Sequence, residues 1–163
     1  MAGFTYLSTP LGRLRIEDDG EAVTVIHFED NDKDLQPEQT GKWVSIAATQ
    51  LSAYFEGKRQ TFDFPFHQKG TDFQQRVWNQ LKKISTGTTI SYIELARQLH
   101  DEKCIRAAAS ANGKNKLAIV VPCHRVIGAS GKLVGYAGGL WRKQWLLEHE
   151  AKMAGKNIQG SLF

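Results

Sequence analysis

The chain has 163 residues, 41% of them hydrophobic and 23% charged, an ordinary globular composition with enough length to bury a real core in one domain or two small ones. No stretch approaches the ~18–20 apolar residues of a membrane span, and the start, Met1-Ala2-Gly3-Phe4-Thr5, lacks the charged-then-apolar design of a signal peptide. The net charge of +4 divides unevenly, since residues 1–70 hold 7 Lys+Arg against 11 Asp+Glu and residues 71–163 hold 14 against 6.

That asymmetry suits a second half that binds a polyanion, and equally a solvated basic surface. Two cysteines, Cys104 and Cys123, are too few for a disulfide framework or a four-ligand zinc site. No metal is expected, and a reducing cytoplasmic (or nuclear) setting is.

In the first half, short β-type runs at 4–7, 14–16 and 22–28 are separated by Pro10-Leu11-Gly12 and Asp18-Asp19-Gly20, which are turn chemistry. They predict a small antiparallel meander. The polar segment 29–41 reads as a loop. Trp43, Ile46, Ala47, Leu51, Tyr54 and Phe55 then recur at helical spacing, and Gly57 closes that helix. Residues 61–66 alternate as a strand does. A domain boundary near 67–70 fits both the charge switch and the Lys69-Gly70 turn, dividing the chain into 1–70 and 71–163.

The second half is helical. Thr71-Asp72-Phe73-Gln74 is a capping box opening a helix with Phe73, Val77, Trp78, Leu81 and Ile84 on one face, ended by Thr86-Gly87. Ser91-Tyr92-Ile93-Glu94 is a second box, starting a short helix to about Leu99. A polar turn leads to a third helix over 103–111, stopped by Asn112-Gly113. Two short helices joined by a tight turn resemble a helix-turn-helix. The last of them, Arg106-Ala107-Ala108-Ala109-Ser110-Ala111, has almost no bulk except one arginine. Such a helix suits close approach to another surface or close packing on another helix. A final helix is expected over 140–150, with a fraying tail from Ala151. The fold class is α+β: a small antiparallel sheet with a helix, then a mostly helical domain.

Between these helices lies Ile119-Val120-Val121-Pro122-Cys123-His124-Arg125-Val126-Ile127. The apolar run reads as a buried strand, and Pro122 biases Val121 away from helix, so the segment is expected to stay extended up to the cysteine. A thiol beside an imidazole is the raw material of a nucleophile. A small buried hydrophobe is the other reading of Cys123.

Pro122-Cys123-His124-Arg125-Val126, with Asn115 before it, Tyr92 in Ile90-Ser91-Tyr92 and the closing Trp145-Leu146-Leu147-Glu148-His149-Glu150, resembles the alkylguanine-DNA alkyltransferases over roughly residues 71–150. These proteins move an alkyl group from guanine O(6) onto their own cysteine. The resemblance implies Cys123 as nucleophile, with His124 and Glu150 completing a relay through water. It implies Tyr92 as a helper that turns the phosphate and donates a proton to the departing guanine. The target base leaves the stack, Arg106 fills its space, and the small helix enters the minor groove with Ala107, Ser110 and Asn112 at the DNA. Val126, Tyr136, Ala137 and Lys143 are expected to line the base pocket, and Asn115 to brace the active-site turn. Alanine at 137 stands where some relatives have serine, and Asn112 where some have an apolar residue.

The implied partner is double-stranded DNA carrying O(6)-alkylguanine, with O(4)-alkylthymine as a second substrate. The protein would act as a monomer, once per molecule, with no cofactor and no membrane. A DNA-binding lesion sensor without transfer, and a Cys-His hydrolase, are the competing readings. The hydrolase leaves Arg106 unexplained.

Overall fold

The computed structural model describes residues 2–31 and 35–156. The chain divides into two compact units, Met1–Lys69 and Gly70–Phe163. Among the described residues no helix is long and apolar enough to cross a membrane.

The first unit is built on an antiparallel sheet of β1 (Gly3–Thr9), β2 (Gly12–Asp18) and β3 (Val23–Phe28), in that order. Leu7 faces Leu14, and Ile16 faces Ile26, so the alternation puts one apolar set on one face. Against that sheet lies α1 (Lys42–Phe55). Leu14, Ile16, Ile26, Val44, Leu51 and Tyr54 are almost completely buried. The helix starts at Gly41, which has no side chain to cap it. Asp18 does that work from the sheet: Oδ2 accepts from Val44 N at 2.9 Å, while Oδ1 accepts from Gly3 N and Gly20 N, both at 3.0 Å. One buried carboxylate thus ties a strand start, a turn and a helix start together.

The strand expected over 61–66 does not form. The segment only bridges β3, with Val23 N donating to Pro65 O at 2.9 Å and His67 N to Val23 O at 3.0 Å. Pro65 has no N–H to continue a ladder. The alternation reflects edge-to-face contacts between Phe62, Phe64 and Phe66. The loop after β3 includes residues 32–34, which lie outside the described ones.

The second unit opens with α2 (Asp72–Leu81), where both arms of the Thr71–Gln74 capping box are made. The helix stops at Leu81, before the expected Thr86-Gly87, although Ile84 is still buried. Next come β4 (Ile90–Ser91) and α3 (Tyr92–Gln98). Ser91 Oγ accepts from Glu94 N at 3.1 Å, but the Glu94 carboxylate faces Arg97 and Gln98, so only half of the second box is used.

A 3-10 turn at Glu102–Cys104 replaces the expected first turn of the next helix. α4 (Ile105–Gly113) then ends at the expected Asn112-Gly113, both of which it includes, and Gly113 is not left-handed. α3 and α4 make the helix-turn-helix. β5 (Val126–Ile127) pairs in parallel with β4, and α5 (Leu140–Met153) continues past Glu150 beyond its expected end. The fraying expected from Ala151 therefore does not begin there, and residues 157–163 lie outside the described ones. The fold is α+β.

Candidate active site

The apolar run before Cys123 is buried, as expected, but it is not extended. Ile119 has φ +73°, Val121 N donates to Leu117 O at 2.9 Å, and a 3-10 turn spans Cys123–Arg125. Burial and strand conformation share the same apolar signature, and only burial applies here. Asn115 holds the turn together. Its Nδ2 donates to Val121 O at 2.8 Å and Leu117 O at 3.4 Å, and its Oδ1 accepts from Leu117 N at 3.1 Å. The strand character expected before the cysteine appears after it, in β5.

Because β5 runs beside β4, the turn carrying Cys123 lies next to the start of α3, where Tyr92 sits. A cavity of about 450 Å³ opens there, lined by Tyr92, Arg106, Asn112, Cys123, Tyr136 and Ala137 among others. Cys123 is 8% exposed, yet it borders open space. Arg106, Ala107 and Ser110 are exposed along α4. Asn112, expected at the DNA with them, is instead buried on the opposite side of that helix. Its Nδ2 reaches Cys123 O at 3.3 Å and Tyr92 Oη at 3.4 Å.

Behind the cavity, Lys143 is fully buried, and Nζ donates to the carbonyls of Val126 (2.7 Å), Val134 (3.0 Å) and Gly135 (3.2 Å). Val126 is also fully buried. These two residues, expected on the pocket surface, hold its wall in place, while Tyr136 and Ala137 form the surface. Burial brings the Lys143 ammonium down to about 8. Burial also pushes the Cys123 thiol up, opposed by a hydrogen bond from Asn115 and the charge of Lys143. Tyr92 is raised by burial and by the neighbouring sulfur, with the Asn112 amide acting against them.

His124 and Glu150 meet with no exposed surface on either side chain. His124 Nε2 lies 2.8 Å from Glu150 Oε2. Burial alone would raise the Glu150 carboxyl, but His124 and Arg125 hold it well below the carboxylate range. An ionised carboxylate only accepts, so Nε2 carries the hydrogen and Nδ1 is the lone-pair nitrogen of the neutral ring. Nδ1 has no protein partner among the described residues.

Two family models match: the ribonuclease-like domain of 6-O-methylguanine DNA methyltransferase over residues 4–68, and its DNA-binding domain over residues 72–152. A methylated-DNA–protein-cysteine methyltransferase of Mycobacterium tuberculosis is 43% identical over 160 residues, covering 94% of this chain and 95% of that one. The chain belongs to this methyltransferase family. A Methanosarcina acetivorans methylated-DNA–protein-cysteine methyltransferase is 40% identical, covering 90% of this chain and 97% of its own. Among solved structures, the Mycobacterium tuberculosis OGT in complex with DNA superposes with a TM-score of 0.84 at 43% identity, covering 92% of this chain and 93% of that one.

One site residue of this methyltransferase was not singled out from the sequence. Arg125 is 6% exposed and donates through Nε and Nη2 to the two Glu150 oxygens at 2.8 and 2.9 Å, and through Nη1 to Ile84 O at 2.6 Å. Its signal was available: a charged residue inside an apolar run is buried only when paired.

Proposed function

We propose that this protein repairs alkylated double-stranded DNA by transferring the O(6)-alkyl group of guanine to Cys123 Sγ, once per molecule. The observation that carries the reading is a cysteine bordering a cavity beside the exposed, arginine-bearing face of α4. A base inside a duplex cannot reach that sulfur, so the alkylated nucleotide swings out of the stack into the cavity. Arg106 takes its place, while Ala107 and Ser110 let the helix backbone come close in the minor groove.

The raised thiol makes the resting sulfur neutral, so it must lose its proton when substrate is bound. His124 Nδ1 accepts that proton through water, and Glu150 steadies the imidazolium from the other side. The sulfur then attacks the alkyl carbon, a C–S bond forms, and the C–O bond breaks with its electron pair leaving on guanine. Tyr92 donates a proton to the departing base and recovers one from solvent, to which the imidazolium releases its own. Thiol and alkylguanine become thioether and guanine. The thioether is not reversed by thiol exchange, so each molecule acts once.

O(4)-alkylthymine is a second substrate of the same displacement. The unit Gly70–Phe163 carries the chemistry and the DNA surface, and the unit Met1–Lys69 is structural. The protein works as a monomer in a reducing cytoplasm.

The test is incubation with a duplex containing one O(6)-methylguanine, followed by intact-mass and peptide analysis. One added methyl group on Cys123, absent in Cys123→Ala, is expected. Tight binding with unchanged mass would establish a lesion sensor instead.

A further inference from the structure

We infer that Asn112 is a positioning residue for the transfer, holding the Tyr92 phenol by its oxygen so that the hydroxyl hydrogen is left for the cavity. The inference rests on the transfer reaction proposed above.

Asn112 stands near the end of α4, 6% exposed, in the wall of the cavity. Its amide orientation is fixed by the Cys123 carbonyl, 3.3 Å away, which can only accept. The NH₂ end must therefore face Cys123, and the same nitrogen lies 3.4 Å from Tyr92 Oη. One hydrogen of the amide serves each acceptor. A phenol whose oxygen accepts from Asn112 keeps its own O–H for another partner, and Tyr92 itself lines the cavity.

The same bond works against the burial that makes Tyr92 a poorer acid. The backbone of the nucleophile, the amide and the proton donor thus form one chain, Cys123 O to Asn112 to Tyr92 Oη. The Oδ1 end of Asn112 is buried without a partner among the described residues, which costs stability. An apolar side chain of that size would avoid the loss, so the polar one is explained by what its nitrogen does.

Single-turnover transfer from a duplex bearing O(6)-methylguanine tests this in the wild type, Asn112→Leu, Tyr92→Phe and the double variant. The full-length protein is used throughout. Asn112→Leu is expected to melt at the wild-type temperature or above, yet to transfer about tenfold more slowly, the loss of one oriented hydrogen bond. In the Tyr92→Phe background the same substitution should change nothing further. Should Asn112→Leu fold poorly, Asn112→Met is measured instead. NMR titration of the Tyr92 ring adds a readout separate from transfer, its ionisation moving to higher pH in either variant.

A wild type that transfers nothing removes the reaction, and this inference with it. Transfer by the wild type matched by Asn112→Leu, or an equal loss in both tyrosine backgrounds, overturns the inference alone.

Discussion

Glu150 is where His124 and Arg125, two buried side chains of the second unit, meet. It accepts from His124 Nε2 and from two nitrogens of Arg125, and Arg125 in turn ties the carbonyl of Ile84, just past α2, to this cluster. A carboxylate held well below its ordinary 4.5 contributes stability that is complete above that value. As pH falls below 4.5 toward the depressed folded value, the folded state must take up a proton against its partners, and the contribution drains away. Urea unfolding followed from pH 7 downward should therefore show a midpoint that is level at first and drops once the pH passes the ordinary carboxylate range. Arg125→Met removes the guanidinium that bonds both oxygens of this buried carboxylate. The expected loss at neutral pH is about 3–5 kcal/mol, with the acid limb moving to higher pH. A variant as stable as wild type, with an unmoved acid limb, would mean that Arg125 does not set the state of Glu150.

At the scale of the element, the small side chains of α4 divide between a packed face and an exposed one. Ala108 and Ala111 are buried, and Trp78 Nε1 of α2 donates to Ala111 O at 2.9 Å. Arg106, Ala107 and Ser110 are exposed. Ala108→Leu overfills the packed face and should cost about 1–3 kcal/mol by thermal or chemical denaturation. Ala107→Leu should leave stability within about 0.5 kcal/mol while weakening duplex binding, since bulk on that face holds the helix backbone away from DNA. Equal stability losses from both would contradict the division of faces. The helix and its arginine were legible because alanine spacing and a lone charge survive in the sequence. So were the meander, α1 and the Thr71 cap, where turn residues and apolar period agree. The approach to Cys123 was not, because three apolar residues look alike in a strand and in a tight buried turn, and the left-handed φ of Ile119 leaves no trace in residue type. Residues 61–66 failed differently: the phenylalanines alternate for ring packing, and Pro65 forbids the ladder. In the site, Cys123 and His124 stand out by chemistry, and Glu150 entered only through the family resemblance; that Arg125 points inward depends on the turn geometry that the apolar pattern concealed.

Over the whole molecule, the acidic residues concentrate in 1–70 and the basic ones in 71–163. A duplex partner is a polyanion with a condensed counterion atmosphere, so binding through the basic unit releases counterions and weakens as salt rises. The logarithm of affinity should fall linearly with the logarithm of salt, with a slope set by the number of phosphates neutralised. Lys114 is exposed at the end of α4, and helical spacing puts it on the Arg106 side, where a phosphate contact is expected. Lys114→Ala should weaken binding to any duplex, alkylated or not, and reduce the magnitude of that slope by about 1. Lys58 provides the control: it is 73% exposed in the acidic unit and paired with Glu56 at 2.8 Å. Lys58→Ala changes net charge by the same amount, so a mere net-charge effect would lower affinity and slope alike in both variants. Fluorescence anisotropy with an unmodified duplex over a salt series separates the cases. A reduced slope in Lys114→Ala alone localises the contact to α4, whereas parallel lines for wild type and Lys114→Ala would remove that lysine from the DNA surface.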